Sequence, residues 1–161
     1  MKKLILIFLI FIFVSCENVK DATVNIGDCI YDLQCEPSNS ISFYASVYHI
    51  DDTYIFVELG EHGIIEKKIV FSDQRETIDF GGYDLIESER VAALDLYKDL
   101  SFEKIQNEWG EMHINIGSGL YIPSYITDDG YLVSFWVDQS TIVDICKSDI
   151  FTGEVIEKTW E

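Results

Sequence analysis

Apolar residues form one continuous run near the start of the chain and then recur in short stretches mixed with polar residues. The run spans Leu4 to Val14 and follows the basic pair Lys2 and Lys3. Its eleven residues fall well short of the roughly 20 that a membrane-spanning helix requires. A basic start, a short apolar segment and a small residue after it are typical of a secretory signal peptide. The pattern predicts a signal peptide at residues 1–15.

The residue after this segment is a cysteine. The pair Ser15-Cys16 resembles the lipobox of bacterial lipoproteins, although Phe13 stands where that family usually has a smaller aliphatic residue. The resemblance implies that the thiol of Cys16 carries a diacylglycerol and anchors the chain to a membrane. The alternatives are a permanent transmembrane helix, an uncleaved signal anchor and cleavage without lipid.

Residues 16–40 are polar and mixed, which predicts a tether after the lipidated cysteine. Cys29 and Cys35 lie six positions apart in this stretch. Outside the cytoplasm they could be bridged by a disulfide or remain reduced. Cys146 ends a strand-like run, and we expect it to pack as a small apolar side chain.

From Ile41 onward the chain is rich in aromatic and β-branched residues, which favours strands. The turn residues Asp51 and Asp52 and the connection from Gly60 to Gly63 separate the first of them. We predict strands at 41–48, 54–59 and 64–71, with a short strand at 78–80.

The middle of the chain has a helical pattern. Apolar residues at three-residue steps predict a helix over 88–98. We expect a second helix to begin after Ser101, whose hydroxyl would accept a backbone N–H, and to end at Gly110. Leu100 and Ile105 have the spacing of a hydrophobic staple.

Strands return in the last third. We predict extended segments at 120–127, 131–137, 141–146 and 154–160, with a hairpin turn at Asp128-Asp129-Gly130. The expected fold class is α+β: antiparallel sheets with two short central helices, and a helix-helix-then-four-strands order in the C-terminal half. A single domain would span 41–161, with a strand-rich part at 41–86 and a second part at 87–161.

The order of elements after residue 87 resembles the SmpA/OmlA outer-membrane lipoproteins and the β-lactamase-inhibitor-protein-like module. The matching residues are Ser101, Ile105 and Gly110. The chain departs from the pattern at Met112, where a proline is expected, and at Leu100, where a glycine is usual. The resemblance implies a non-enzymatic protein-binding or scaffold role.

Acidic residues dominate the charged positions. The chain has 29 Asp and Glu against 11 Lys and Arg. Loss of residues 1–15 would remove two lysines and leave a formal charge of −20. Such a surface repels nucleic acid, so no nucleic-acid partner is expected. The 14% aromatic content argues against a disordered chain.

No catalytic motif, metal site or cofactor site is predicted. His49, His62 and Asp51-Asp52 do not have the spacing of a ligand set. Gly117-Ser118-Gly119 lacks the lysine of a phosphate loop. With so many acids, an Asp/Glu pair for hydrolysis stays open as an alternative.

The aromatic residues of two predicted strands are the candidate binding surface: Tyr121, Tyr125, Tyr131 and Trp136. In one interpretation one set of these strand residues forms the core against Phe102 and Trp109. In the other, an exposed set binds a partner, because aromatic residues are enriched at binding hot spots.

The sequence as a whole favours a lipid-anchored protein-binding or scaffold module on the outer side of a bacterial cell membrane or outer membrane. Its expected partners are the membrane, through Cys16, and another envelope protein. An inhibitor or immunity protein with a basic partner is one alternative. A cell-envelope hydrolase is the other.

Overall fold

The described residues form two antiparallel five-stranded sheets. The computed structural model describes residues 23–160, so the predicted signal peptide at 1–15 and Cys16 lie outside the described residues. Both sheets follow chain order. The first contains β1 (Asn39–Ser42), β2 (Ala45–Ile50), β3 (Thr53–Leu59), β4 (Ile65–Ser72) and β5 (Thr77–Asp79). The second contains β6 (Ile114–Asn115), β7 (Pro123–Ile126), β8 (Tyr131–Asp138), β9 (Thr141–Asp149) and β10 (Val155–Lys158).

The strands β7 and β8 of the second sheet are covered on both faces. Leu132 of β8 packs toward the first sheet, in a cluster with Phe56 and Phe71. Its neighbour Val133 points the other way, into a second cluster beneath the helix α1 (Phe102–Trp109). Side chains alternate between the faces of a strand, so β8 contributes to both cores at once. The described chain is therefore layered as first sheet, second sheet and helix.

The start of the described chain forms a further layer. Val24 is buried against the outer face of the first sheet, and its carbonyl oxygen accepts a hydrogen bond from Lys68 Nζ at 3.1 Å. Cys29 forms an isolated bridge with Ile64. A short 3-10 turn, Ile30–Asp32, follows. The described part of the expected tether, residues 23–40, thus packs along the sheet, and its last two residues belong to β1.

The predicted strand at 41–48 is wrong, because the chain reverses within it. β1 ends at Ser42, and β2 begins at Ala45 after a two-residue turn. Tyr44 N–H donates to Ser42 Oγ at 3.1 Å. A serine side chain close to the backbone competes with the strand hydrogen bonds in this way. The apolar pattern of the segment did not reveal the turn.

The predicted helix over 88–98 is also wrong. Two 3-10 turns, Ser88–Arg90 and Leu94–Leu96, occupy the segment instead. Three backbone N–H groups there donate to side chains: Ser88 N to Asp128 Oδ1, Leu94 N to Glu157 Oε1, and Ala92 N to Tyr97 Oη. Two of these acceptors lie in the second sheet or its hairpin turn, so tertiary contacts replace the helical hydrogen bonds. The described residues therefore contain one α-helix, where two central helices were predicted, and most of their regular structure is strand.

The second predicted helix is confirmed as α1, with Gly110 at its end in the left-handed region (φ 87°). Its start differs in detail. Ser101 occupies the N-cap position, but its hydroxyl makes no capping hydrogen bond. The backbone of Ser101 instead bridges to Thr141 of β9, which ties the helix start to the sheet.

The predicted hairpin at Asp128-Asp129-Gly130 is confirmed between β7 and β8. Thr127 N–H donates to the Tyr131 carbonyl oxygen at 2.8 Å and closes it. Gly130 has φ 80°, and a Cβ at this position would lie 2.3 Å from the Phe151 ring. Glycine is therefore required there both by backbone conformation and by the close approach of a core aromatic ring.

An ion pair joins the two sheets. Arg75, in the turn after β4, donates through Nη2 to Asp149 Oδ2 at the end of β9. The Asp149 carboxylate is almost fully buried and also accepts the N–H groups of Phe151 and Thr152. The guanidinium group lies 4.9 Å above the Phe151 ring. This carboxylate thus fixes both the sheet-to-sheet contact and the turn before β10.

We expect Asp149→Asn to lower the free energy of unfolding by about 2–4 kcal/mol, because it leaves a half-buried guanidinium without its counter-charge. Urea denaturation of the full chain measures the change. Asp95→Asn, at an exposed position, is the matched control and should stay within about 0.5 kcal/mol of the parent. Equal stability of the two variants would contradict a structural role for the ion pair.

Candidate functional site

The four aromatic residues predicted as a binding surface do not share one patch. Tyr125 is fully buried in the core beneath α1, where its hydroxyl donates to the Gly110 carbonyl oxygen at 2.9 Å. Its assignment to a binding surface is therefore wrong. Tyr121 is 45% exposed and packs edge-on against Phe102. The core interpretation is confirmed for Tyr125, which packs with Phe102 and Trp109.

Tyr131 and Trp136 are partly exposed but lie far apart. Tyr131 is the first residue of β8 and Trp136 is the sixth, so about 17 Å of strand separates them. The Tyr131 ring has the Arg75 guanidinium 5.1 Å from its centre and Lys147 Nζ at 4.4 Å, so two cations of this chain already contact it. The ring of Trp136 instead lies beside a second tryptophan, Trp160.

Trp136 forms an open cleft with a second tryptophan. Register places Trp136 of β8 directly opposite Asp144 of β9. The chain after β10 is held to β9, because Thr159 N–H donates to the Ile145 carbonyl oxygen at 3.1 Å. This brings the Trp160 ring to 4.9 Å from that of Trp136, with 67° between the ring planes. We call this the tryptophan cleft: Trp136, Asp144 and Trp160 line a cavity of about 410 Å³.

The carboxylate in the cleft has basic and polar neighbours. Asp144 Oδ1 lies 3.2 Å from Lys98 Nζ and accepts a hydrogen bond from Thr159 Oγ1 at 3.2 Å. Lys158 Nζ lies 5.6 Å from the centre of the Trp160 ring. Lys158 thus already lies near the face of Trp160, and Lys98 pairs with the carboxylate of Asp144. Because Lys98 already pairs with Asp144, the faces of the two tryptophan rings are what the cleft offers to a further cation.

The sequence pattern predicts Trp136 as a surface residue but does not predict that Asp144 and Trp160 lie beside it. The last strand was predicted to include Trp160, yet a strand prediction does not say which ring the residue meets. A register shift falls between Trp136 and Val137, so the residue opposite Trp136 could not be counted from the turn. The only sequence feature that points to this site is that Trp136 and Trp160 both fall in predicted strands of the last third of the chain.

A second cavity, of about 220 Å³, lies where the two sheets meet the end of α1. Its lining includes Lys67, Asp84, Glu111 and His113. The His113 ring is held at both nitrogens: Nδ1 accepts the Ile126 N–H at 2.8 Å, and Nε2 lies 2.9 Å from the Asp84 carbonyl oxygen. A neutral imidazole that donates from Nε2 satisfies both contacts. Neither nitrogen is left for proton transfer, so His113 has a structural role.

Cys29 shows no disulfide in this structure. It is a free thiol, and its Sγ lies 3.7 Å from the His62 carbonyl oxygen. Cys146 is buried in the second sheet, as expected for a small apolar side chain. Within residues 23–160, no group of three or more His, Cys, Asp or Glu side chains is arranged to hold a metal ion.

None of the helices between residues 23 and 160 has both the length and the apolar character needed to cross a membrane. No protein-family model matches the chain, and neither a curated protein nor a solved structure does. The resemblance to SmpA/OmlA lipoproteins and the β-lactamase-inhibitor-protein-like module stays a prediction.

The neutral state of His113 has a consequence for stability. Burial lowers the pKa of this imidazole in the folded protein, so the unfolded chain binds the proton more readily. The contribution to stability is therefore complete above the ordinary histidine pKa of about 6.5 and is lost as the pH falls below it. One proton changes the free energy of unfolding by at most about 1.4 kcal/mol per pH unit.

We expect His113→Asn to flatten the pH dependence of the free energy of unfolding between pH 7.5 and 5.5, measured with urea at each pH. His62→Asn is the control, because His62 is exposed and asparagine tolerates its positive φ of 60°. A His113→Asn curve parallel to that of the parent would show that His113 does not titrate as described.

Proposed function

We propose that this protein is a non-enzymatic binding module, held on the outer side of a bacterial membrane by an acylated Cys16, that receives a basic side chain of another envelope protein in the tryptophan cleft. The observation that carries the proposal is the paired tryptophan rings beside Asp144 on a strongly acidic chain.

The shape and chemistry of the cleft favour a cationic side chain. The faces of Trp136 and Trp160 carry partial negative charge, and a cation above such a face gains roughly 0.5–2 kcal/mol. Lysine and arginine stems also pack against flat apolar rings. The contact of Lys158 with Trp160 shows that a lysine of this chain can occupy such a position. A partner side chain would add to this arrangement or displace it.

The charge of the whole chain favours the same kind of partner. The formal charge of −20 that remains after loss of residues 1–15 steers basic proteins toward the surface and repels acidic ones. Because such steering is screened over about 10 Å at 0.1 M salt, the complex should form more slowly as salt increases. The proposal therefore includes a salt-sensitive association.

The exposed strand beside the cleft offers room for a partner. β10 is the edge of the second sheet, and its four residues are all exposed. Val155 and Ile156 are each 50% exposed there. A partner seated at Trp160 would cover this edge as well, which adds apolar contact to the cationic one.

We expect Trp136→Ala to weaken retention of the partner on the immobilised full chain by at least about 30-fold, since loss of a central tryptophan typically costs 2 kcal/mol or more. Envelope extract of the source organism is applied at low and high salt, and retained proteins are quantified. Tyr121→Ala is the matched control, because Tyr121 is an exposed aromatic residue outside the cleft. Equal loss in both variants, or none in either, would reject the cleft as the binding site.

The identity of the retained protein decides the physiological role. A basic toxin or enzyme would make this chain an inhibitor or immunity protein, whereas a structural envelope component would make it a scaffold. Retention at low salt and release at high salt is expected in either case, because both partners would be basic.

The membrane anchor is tested separately. We expect Cys16→Ala to move the full chain from the detergent phase to the aqueous phase in detergent partitioning, since the acyl chains would supply its membrane affinity. Cys29→Ala, which removes a free thiol, is the control and should partition like the parent. Unchanged partitioning of Cys16→Ala would remove lipid anchoring from the proposal.

A further inference from the structure

Large apolar side chains are exposed together at one end of the first sheet. We call them the sheet-end patch: Tyr31, Phe43, Tyr44 and Ile64. Tyr31 and Phe43 are each 82% exposed, Tyr44 is 54% exposed and Ile64 is 37% exposed. A group of this kind is unusual on a soluble surface and marks a place of contact with a partner or a membrane.

Backbone contacts show that these residues share one end of the sheet. The Tyr44 carbonyl oxygen accepts Leu59 N–H at 2.8 Å, and Gly60 N–H donates to the Ile64 carbonyl oxygen at 2.8 Å. The β1–β2 turn and the β3–β4 connection therefore lie side by side. A Cβ on Gly63 would lie 2.8 Å from the Tyr31 ring, so the turn that carries Tyr31 packs against the same connection.

The described chain begins close to this end. Val24 contacts Lys68, and Gly27 N–H donates to the Ile65 carbonyl oxygen at 2.8 Å. Lys68 lies three residues from Ile65, or about 10 Å along β4. Cys16 precedes Thr23 by seven residues, which span at most about 25 Å when extended. A bilayer that holds an acylated Cys16 is therefore within reach of the sheet-end patch.

We infer that the sheet-end patch rests on the membrane surface, with Phe43 and Tyr44 at the level of the lipid headgroups. The inference depends on the lipid anchoring in the proposed function. Aromatic side chains favour this region of a bilayer, because their rings are apolar and a tyrosine also has a polar tip.

The charge around the patch specifies the kind of lipid surface. Asp32, Glu61 and Glu66 are exposed at this end, and the Glu66 side chain lies against Gly60. Carboxylates are repelled by anionic headgroups. The patch therefore fits a surface of zwitterionic headgroups, and raising the share of anionic lipid should weaken the contact.

Quenching of tryptophan fluorescence by brominated lipid tests the inference. The full acylated chain is placed in phosphatidylcholine vesicles, with Phe43→Trp as the probe. Leu96→Trp is the matched control: Leu96 is 67% exposed in a 3-10 turn on the helix side of the second sheet. The emission of the parent chain, with its three native tryptophans, is subtracted.

We expect brominated lipid to quench the added emission of Phe43→Trp and not that of Leu96→Trp, and anionic lipid to reduce the quenching. Equal quenching of both variants, or of neither, overturns the inference. The inference is also overturned if the emission of Phe43→Trp does not change on addition of vesicles but shifts with protein concentration. That result would assign the sheet-end patch to contact with a second copy of the chain.

Flotation of the same vesicles separates failure of this inference from failure of the proposed function. If the parent chain does not float with vesicles, lipid anchoring is rejected and the membrane contact with it. If the parent floats and Cys16→Ala does not, anchoring stands, and the quenching result alone decides whether the sheet-end patch meets the bilayer.

Discussion

Burial of β7 and β8 of the second sheet on both faces is the constraint on which the rest of the structure depends. β8 contributes Leu132 to the contact with the first sheet and Val133 and Phe135 to the core beneath α1. Polar side chains in such a position need partners inside the protein. Ser134 and Ser124 meet this need on neighbouring strands, where the two hydroxyls hydrogen-bond to each other at 2.9 Å.

The extent of burial along β8 determines which of its side chains are available for binding. Where β8 runs past the two cores, its side chains reach solvent, and Trp136 is one of them. Trp136 and Asp144 of the tryptophan cleft therefore lie on strands that also place side chains in the core, whereas Trp160 follows β10 and is held through Thr159 to β9. A site built on strands holds its side chains in place more firmly than one built on loops.

Several elements were predictable because their local chemistry agrees with their tertiary setting. The turn at Asp128-Asp129-Gly130 places Gly130 at a positive φ, which the turn motif in the sequence predicts. The Phe151 ring also leaves no room for a Cβ at this position. The helix α1 has its apolar residues on one face, which lies in the core. In each case the local preference and the global packing lead to the same conformation.

Other elements could not be predicted, because distant side chains decide them. The segment 88–98 has a helical pattern, yet the acceptors Asp128 and Glu157 take backbone N–H groups that a helix would use. The bulge beside Trp136 sets which residue of β9 lies opposite it. No local pattern in residues 131–144 specifies that register, so Asp144 and Trp160 could not be assigned to a site from the sequence.

The most direct test of the account places a photo-reactive benzoylphenylalanine at position 136 of the full chain in living cells. We expect one dominant cross-linked adduct with a basic envelope protein from position 136, and none with that protein when the same group replaces Tyr121. An identical set of adducts from both positions, or no adduct from position 136, would contradict the assignment of the tryptophan cleft as the binding site.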